Sequence, residues 1–171
     1  MELKRIEGEH SIQQDLAAVN PDFPQLGHVQ NCGNCAIAYE LRRQGHDVEA
    51  QVGENMYLGD FTGMFDGARV QRSALLSTTD DAYEMARKIE QDILSWGEGA
   101  RGAIRGNWLG KRRGHYFSAE VSGGKVIFVD GQIGQNNVRH LGRMRPQNID
   151  YVRLDNTKPN YNVRNAVKNR R

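Results

Sequence analysis

The sequence holds only two cysteines in 171 residues, which excludes a disulfide framework. No apolar run approaches the ~18 residues that a membrane-spanning helix needs. The opening MELKRIEGEH lacks the apolar core of a secretory signal peptide, so no such peptide is expected in this chain. Net charge is only +2, so bulk charge supplies little attraction for nucleic acid, which is not an expected partner. The cations that crowd the last third, among them Arg139, Arg143, Arg145, Arg164 and Arg170, read as a solvated face. There are no internal repeats, no low-complexity tract and no long linker, and this predicts one domain over residues 1–171. A hydrophobic share of 38% against 26% charged excludes gross disorder.

What is present begins with helix signals. Ser11 is placed to cap a short helix with Ile12, Leu16 and Val19 on one face, broken by Asn20-Pro21-Asp22-Phe23-Pro24. A second helix is expected from about 33 to 44, with Gly45 as the residue that ends it, Ala36, Ala38, Tyr39 and Leu41 inward, and Glu40, Arg42 and Arg43 outward. Residues 47–52 alternate like a strand. Residues 53–77 are punctuated by Gly53, Gly59, Gly63 and Gly67 and read as a long ordered loop. A third helix follows, capped by Thr79 or Asp80, lined by Ala82, Met85, Ala86, Ile89 and Ile93, and ending near Trp96. Strands are expected at 103–108, 115–121, 125–130 and 151–155, with a short terminal helix within 160–168. Helices followed by a run of strands point to an α+β fold with a mostly antiparallel sheet.

The chemistry starts at Asn31-Cys32-Gly33-Asn34-Cys35-Ala36, where both thiols meet the start of the second helix. Free N–H groups and the positive end of the helix dipole stabilise a thiolate there. A zinc site would want a second Cys pair or paired histidines, and His10, His28, His46 and His140 have no such spacing. A redox Cys-x-x-Cys would follow a strand, and the segment before Cys32 is polar and proline-broken. No metal or organic cofactor is expected.

Further along, Gly123-Gly124 turns a hairpin. A two-residue loop puts Ser122 opposite Lys125 and His115 opposite Gln132, with Asp130 one step diagonal on the same face. A four-residue loop would set His115 directly against Asp130, and a three-residue loop would separate them to opposite faces. Burial of Phe117, Ala119 and Val121 with Val126 and Phe128 favours the even registers. The residues then supply a nucleophile, a base and an orienter. Cys32 or Cys35 attacks, His115 moves the proton and Asp130 holds the imidazole, with Gln132 as a second orienter or substrate contact. The Cys32 N–H with the side chain of Gln30 or Asn31 would face an oxyanion.

The run Asn31-Cys32-Gly33-Asn34-Cys35-Ala36, continued by Ala38-Tyr39-Glu40-Leu41-Arg42-Arg43 and Gly45-His46-Asp47-Val48, resembles the signature of the papain-fold toxin family. Gly114-His115 and Val129-Asp130-Gly131-Gln132 are similar to its later motifs. Tyr151-Val152-Arg153-Leu154-Asp155-Asn156 and Asn20-Pro21-Asp22-Phe23 extend the likeness to about 18–158, leaving 1–10 and 159–171 peripheral. The resemblance implies a papain-like fold, with the Cys-bearing helix packed on the sheet that carries His and Asp. It implies deamidation of glutamine on a target protein, a bacterial polymorphic-toxin or phage-associated setting, delivery into a target cell's cytoplasm, and a cognate immunity protein. Effector deamidases similar to this chain use the first cysteine, which favours Cys32. Papain proteases with a similar Cys-Gly-x-Cys use the second, which leaves Cys35 as the alternative nucleophile. A cysteine protease or transglutaminase would share the acyl-enzyme. A non-catalytic phage-particle or nucleic-acid-binding module is the reading from another class.

Overall fold

The computed structural model describes residues 2–171. Helix α1 (Ile12–Val19) starts where expected. Ser11 accepts the Gln14 N–H and Gln14 returns the favour to the Ser11 N–H, a full capping box. Helix α2 (Cys32–Arg43) ends at Gly45, whose φ of +96° is one that residues with a Cβ rarely adopt. Strand β1 (Val48–Ala50) follows it.

Residues 53–77 depart from the expected loop. They hold helix α3 (Leu58–Thr62), strand β2 (Phe65–Asp66), strand β3 (Val70–Arg72) and helix α4 (Ser73–Leu76). Gly63 and Gly67 separate the first three, and every piece is too short for a periodic signal. Helix α5 (Ala82–Leu94) is capped by Asp81, which accepts the Glu84 N–H, rather than by Thr79 or Asp80. Thr79 instead donates its hydroxyl to the Glu84 carboxylate. The later elements are β4 (Arg101–Asn107), β5 (Gly114–Ser122), β6 (Lys125–Val129), β7 (Asp150–Arg153), β8 (Lys158–Pro159) and β9 (Val167–Asn169). Two short 3₁₀ turns, Leu141–Arg143 and Tyr161–Asn165, stand where loop and terminal helix were expected.

The fold is α+β with antiparallel sheets. A five-stranded sheet runs β3-β7-β4-β5-β6, and every neighbouring pair in it is antiparallel. Two small sheets pair β1 with β9 and β2 with β8. The β5–β6 hairpin has the two-residue register, Ser122 opposite Lys125, with Gly123 and Gly124 both at positive φ. Its ladder stops at Ser118–Val129, so His115 has no ladder partner in Gln132; Asp130 turns away and bridges Gln135 instead.

Both faces of the large sheet are covered. Ala103, Tyr116, Val129 and Val152 pack with the apolar residues of α2. Ile104, Phe117, Ala119 and Val121 pack with Met85, Ile89 and Ile93 of α5. The apolar hairpin face named from sequence is therefore covered by α5, while α2 lies on the opposite face. Gly102 lets this sandwich close, because a Cβ there would stand 2.4 Å from the Val152 carbonyl oxygen and 2.8 Å from the Trp96 ring.

The charges of α2 do not face outward as expected. Arg42 donates to Asp15 (2.9 Å) and Asp47 (2.8 Å). Arg43 donates to Asp15 (2.8 Å) and to both oxygens of Glu120. Glu40 accepts two N–H groups from Arg101. A helix wrapped on all sides must pair its charges inside, since an unpaired buried ion costs several kcal/mol. The terminal residues add to this packing: Val163, Ala166 and Val167 are buried, and β9 closes on β1.

Candidate active site

The site forms where the N-terminus of α2 meets the end of β5 and the exit of β6. Cys32 is the first residue of α2 and Cys35 lies one turn on; neither is in a disulfide. Helix geometry leaves the first N–H groups of α2 without intrahelical acceptors. Cys32 is 8% exposed and Cys35 1%. Burial pushes the Cys35 thiol well above its ordinary value, and the charges of Cys32 and Asp130 push it further. Such a thiol stays protonated at neutral pH and is a poor nucleophile.

His115 donates from Nε2 to Asp130 Oδ2 at 2.7 Å. Cys32 acts on the same ring through hydrogen bonding and charge, and with Nε2 given to Asp130, Nδ1 is the ring nitrogen left for sulfur. Burial disfavours a charged His115, but the hydrogen bonds and charges of Asp130 and Cys32 outweigh it and raise the imidazole pKa to about 9. Burial also opposes a charged Asp130. Hydrogen bonds from His115 and His140 prevail and hold the carboxyl well below the usual carboxylate range. Asp130 Oδ1 accepts the Gln132 N–H at 3.0 Å.

These shifts set a pH window for stability. His115, raised from its ordinary value of about 6.5, contributes fully below that value and loses its contribution as pH climbs through about 9. Asp130, lowered from about 3.9, contributes fully above that value and loses it as pH falls. The melting-temperature gap between wild type and His115→Gln should be widest between about pH 4 and 6.5 and should narrow towards alkaline pH. Calorimetry across that range checks it, and a gap that grows with pH contradicts it.

A buried thiol, an imidazole and a carboxylate joined in one chain can perform acyl transfer through sulfur. A sequence model of one protein family, described as papain fold toxin 1, glutamine deamidase, matches residues 30–135, more than half of the chain. The chain belongs to that family. No curated protein matches it, and no solved structure does.

The other residues named from sequence lie around this candidate site of the papain-fold toxin. Gln30 is exposed just before α2. Asn31 is fully buried; its Nδ2 donates to Asn20 Oδ1 (3.0 Å) and to the Gln51 carbonyl (3.1 Å). Both Asn31 amide hydrogens are thus engaged, so its side chain anchors α2 and has no hydrogen left for an oxyanion. Gln132 is buried and spends one amide hydrogen on Asn31 Oδ1 (3.4 Å), which leaves the other.

Two residues were missed. His140 donates from Nε2 to Asp130 Oδ2 at 2.8 Å, sharing that oxygen with His115. Trp108 stacks on His115, 5.5 Å between centroids and 25° between planes, and meets His140 edge-on at 5.0 Å. Trp108 also lines a cavity of about 690 Å³ with Tyr83, Leu109, Lys111 and Arg143. No linear spacing announces His140. Gly134 and Asn137 at positive φ turn the chain, and the Val138 N–H bonds to the Phe128 carbonyl, which returns His140 to the end of β6.

The ligand atoms of His115, Asp130 and His140 lie within 4.8 Å of one another, the one such group among the described residues. The N···O separations of 2.7 and 2.8 Å are hydrogen-bond lengths. Two ligands of a tetrahedral zinc ion stand about 3.3 Å apart when each bond is about 2.0–2.1 Å. The cluster fits shared protons better than a shared cation.

Proposed function

We propose that this protein is a toxin-type cysteine amidohydrolase that converts glutamine to glutamate on a target protein, with Cys32 as nucleophile, His115 as acid and base, and Asp130 as orienter. One observation carries the assignment. The His115 ring is bonded to Asp130 and electrostatically coupled to Cys32, while the competing thiol of Cys35 is buried with a raised pKa.

The Cys32 thiolate attacks the carboxamide carbon, and the carbonyl electrons move onto oxygen. The Cys32 N–H and the remaining Gln132 amide hydrogen are the donors for that oxyanion, with exposed Gln30 as a further contact to substrate. The imidazolium gives its proton to the departing nitrogen, so ammonia leaves and a thioester remains. Neutral His115 then takes a proton from water, the hydroxide adds to the thioester, and the thiolate leaves. Glutamine plus water becomes glutamate plus ammonia. Asp130 stays ionised throughout and stabilises the imidazolium. No metal or organic cofactor enters this scheme.

The product carries one new negative charge, enough to weaken a partner interface through repulsion or desolvation. The same reading places the enzyme's work in the cytoplasm of a target cell after delivery, with an immunity protein guarding the producer. No helix among the described residues is long and apolar enough to cross a membrane. The test is intact-mass analysis of candidate target proteins. A gain of about 1 Da per site, with ammonia release, is the signature of deamidation through this acyl-enzyme. Chain cleavage instead identifies a protease, and an amine-sized adduct or crosslink identifies a transglutaminase. Unchanged targets across a broad set contradict all three.

A further inference from the structure

We propose that His140 is a positioning residue of the site: by donating to the oxygen of Asp130 that His115 uses, it fixes the carboxylate and takes a share of its charge. This rests on the assignment of Cys32, His115 and Asp130 above. His140 lies outside the residues that the family model matches.

Asp130 is 2% exposed, so water does not supply its hydrogen bonds. Its carboxylate has three protein donors: the Gln132 N–H on Oδ1, and the His115 and His140 rings on Oδ2. Without His140, Oδ2 would be held by the His115 ring alone, the group whose proton moves, and the Gln132 N–H would be the one anchor that does not titrate. His140 is itself held. Its ring meets Trp108 at 5.0 Å, Phe117 at 5.1 Å and His115 at 5.3 Å, all close to edge-on. Trp108 and Phe117 also flank His115, so the same aromatic frame sets both imidazoles.

A phenylalanine could supply that ring packing. Only an imidazole at this position adds an N–H to a charged oxygen. Two donors on one oxygen each receive less negative charge than a single donor would, so His140 weakens the bond between Asp130 and the His115 imidazolium. The other titratable groups at the cluster are Cys32 and Cys35 of α2 and Tyr116 of β5; the charge of Cys32 acts on His115 and on Tyr116, and that of Asp130 on Cys35. Loss of the His140 donor should therefore strengthen the remaining bond to His115 and delay deprotonation of its imidazolium as pH rises.

Alkylation by iodoacetamide tests this on the intact protein without its target. The rate at Cys32, followed by mass, has an alkaline inflection where His115 loses its proton and the ion pair ends. In His140→Phe, which keeps a ring but no donor, that inflection should move up by about half to one pH unit. In His140→Gln, whose amide N–H can reach the same oxygen, it should return to within about 0.3 of wild type. If the Phe variant does not fold, His140→Leu carries the same expectation. An unmoved or lowered inflection in a folded donor-less variant, or an equal shift in the Gln variant, overturns the proposal. A wild type alkylated at Cys35, or lacking the inflection, overturns the Cys32–His115 assignment itself and His140's role with it.

Discussion

Cys32→Ala should abolish the mass gain on the target protein, a loss of at least about 10⁴-fold in rate, while Cys35→Ala keeps it within about tenfold of wild type. The two thiols are one helical turn apart, and their settings differ in kind. Cys32 stands at the open end of α2 against the His115 ring, whose other side is anchored by Asp130. Cys35 is enclosed, and desolvation first, then two neighbouring charges, keep its proton on. The thiolate is the attacking species, so the proposal takes Cys32 as the usable sulfur. Removing the Cys35 sulfur leaves a small void beneath the site. That costs about 1 kcal/mol of stability, in line with other small core deletions, and does not remove the nucleophile. Intact-mass kinetics on both variants decides the matter. An inactive Cys35→Ala beside an active Cys32→Ala would reverse the assignment.

The parts of the site that were legible in the sequence are those governed by local rules. Gly123-Gly124 set the hairpin turn and the turn set the register as far as Ser118–Val129; His115 and Asp130 lie beyond the ladder, at the same end of the hairpin, and meet through a side-chain hydrogen bond. Ser11 and Gly45 marked helix ends because capping depends on a few neighbouring residues. What was not legible depends on partners far along the chain. Glu40, Arg42 and Arg43 look like a solvated face until Arg101, Asp15 and Glu120 arrive, 27 to 77 residues away. Strand β3 is three residues long, runs straight into α4, and exists because β7 pairs with it. His140 has no periodic or motif context, and only the turn through Gly134 and Asn137 brings it to Asp130.

Asp15→Ala should be the most destabilising of these substitutions, by roughly 3–5 kcal/mol. Asp15 is fully buried at 0% exposure on α1. Its oxygens accept from Arg42 Nε at 2.9 Å and Arg43 Nη1 at 2.8 Å, and His10 also bonds to it. Deleting the carboxylate leaves a 4%-exposed Arg42 with only Asp47 and the Val48 carbonyl, and Arg43 with Glu120 and the His10 carbonyl. Those partners keep each guanidinium hydrogen-bonded, so the loss should fall near the lower end, about 3 kcal/mol. For a chain of this size that is a fall of roughly 6–12 °C in melting temperature. The pairing itself is distinguishable from simple loss of volume. Replacing Asp15 with Leu together with Arg42 and Arg43 by Met should refill the volume without recovering the deficit, because Glu120, 5% exposed, then loses both of its Arg43 bonds and Asp47 loses its Arg42 bond. Thermal melts of the single and triple variants measure this. A single variant within about 1 kcal/mol of wild type would mean that the network is solvated in solution. Because these bonds tie α1 to α2, and Arg43 ties α2 to Glu120 on β5, their loss loosens the helix that presents Cys32. The single variant should therefore alkylate faster at Cys35 than wild type, since the protection of that thiol is its burial under the same helix packing.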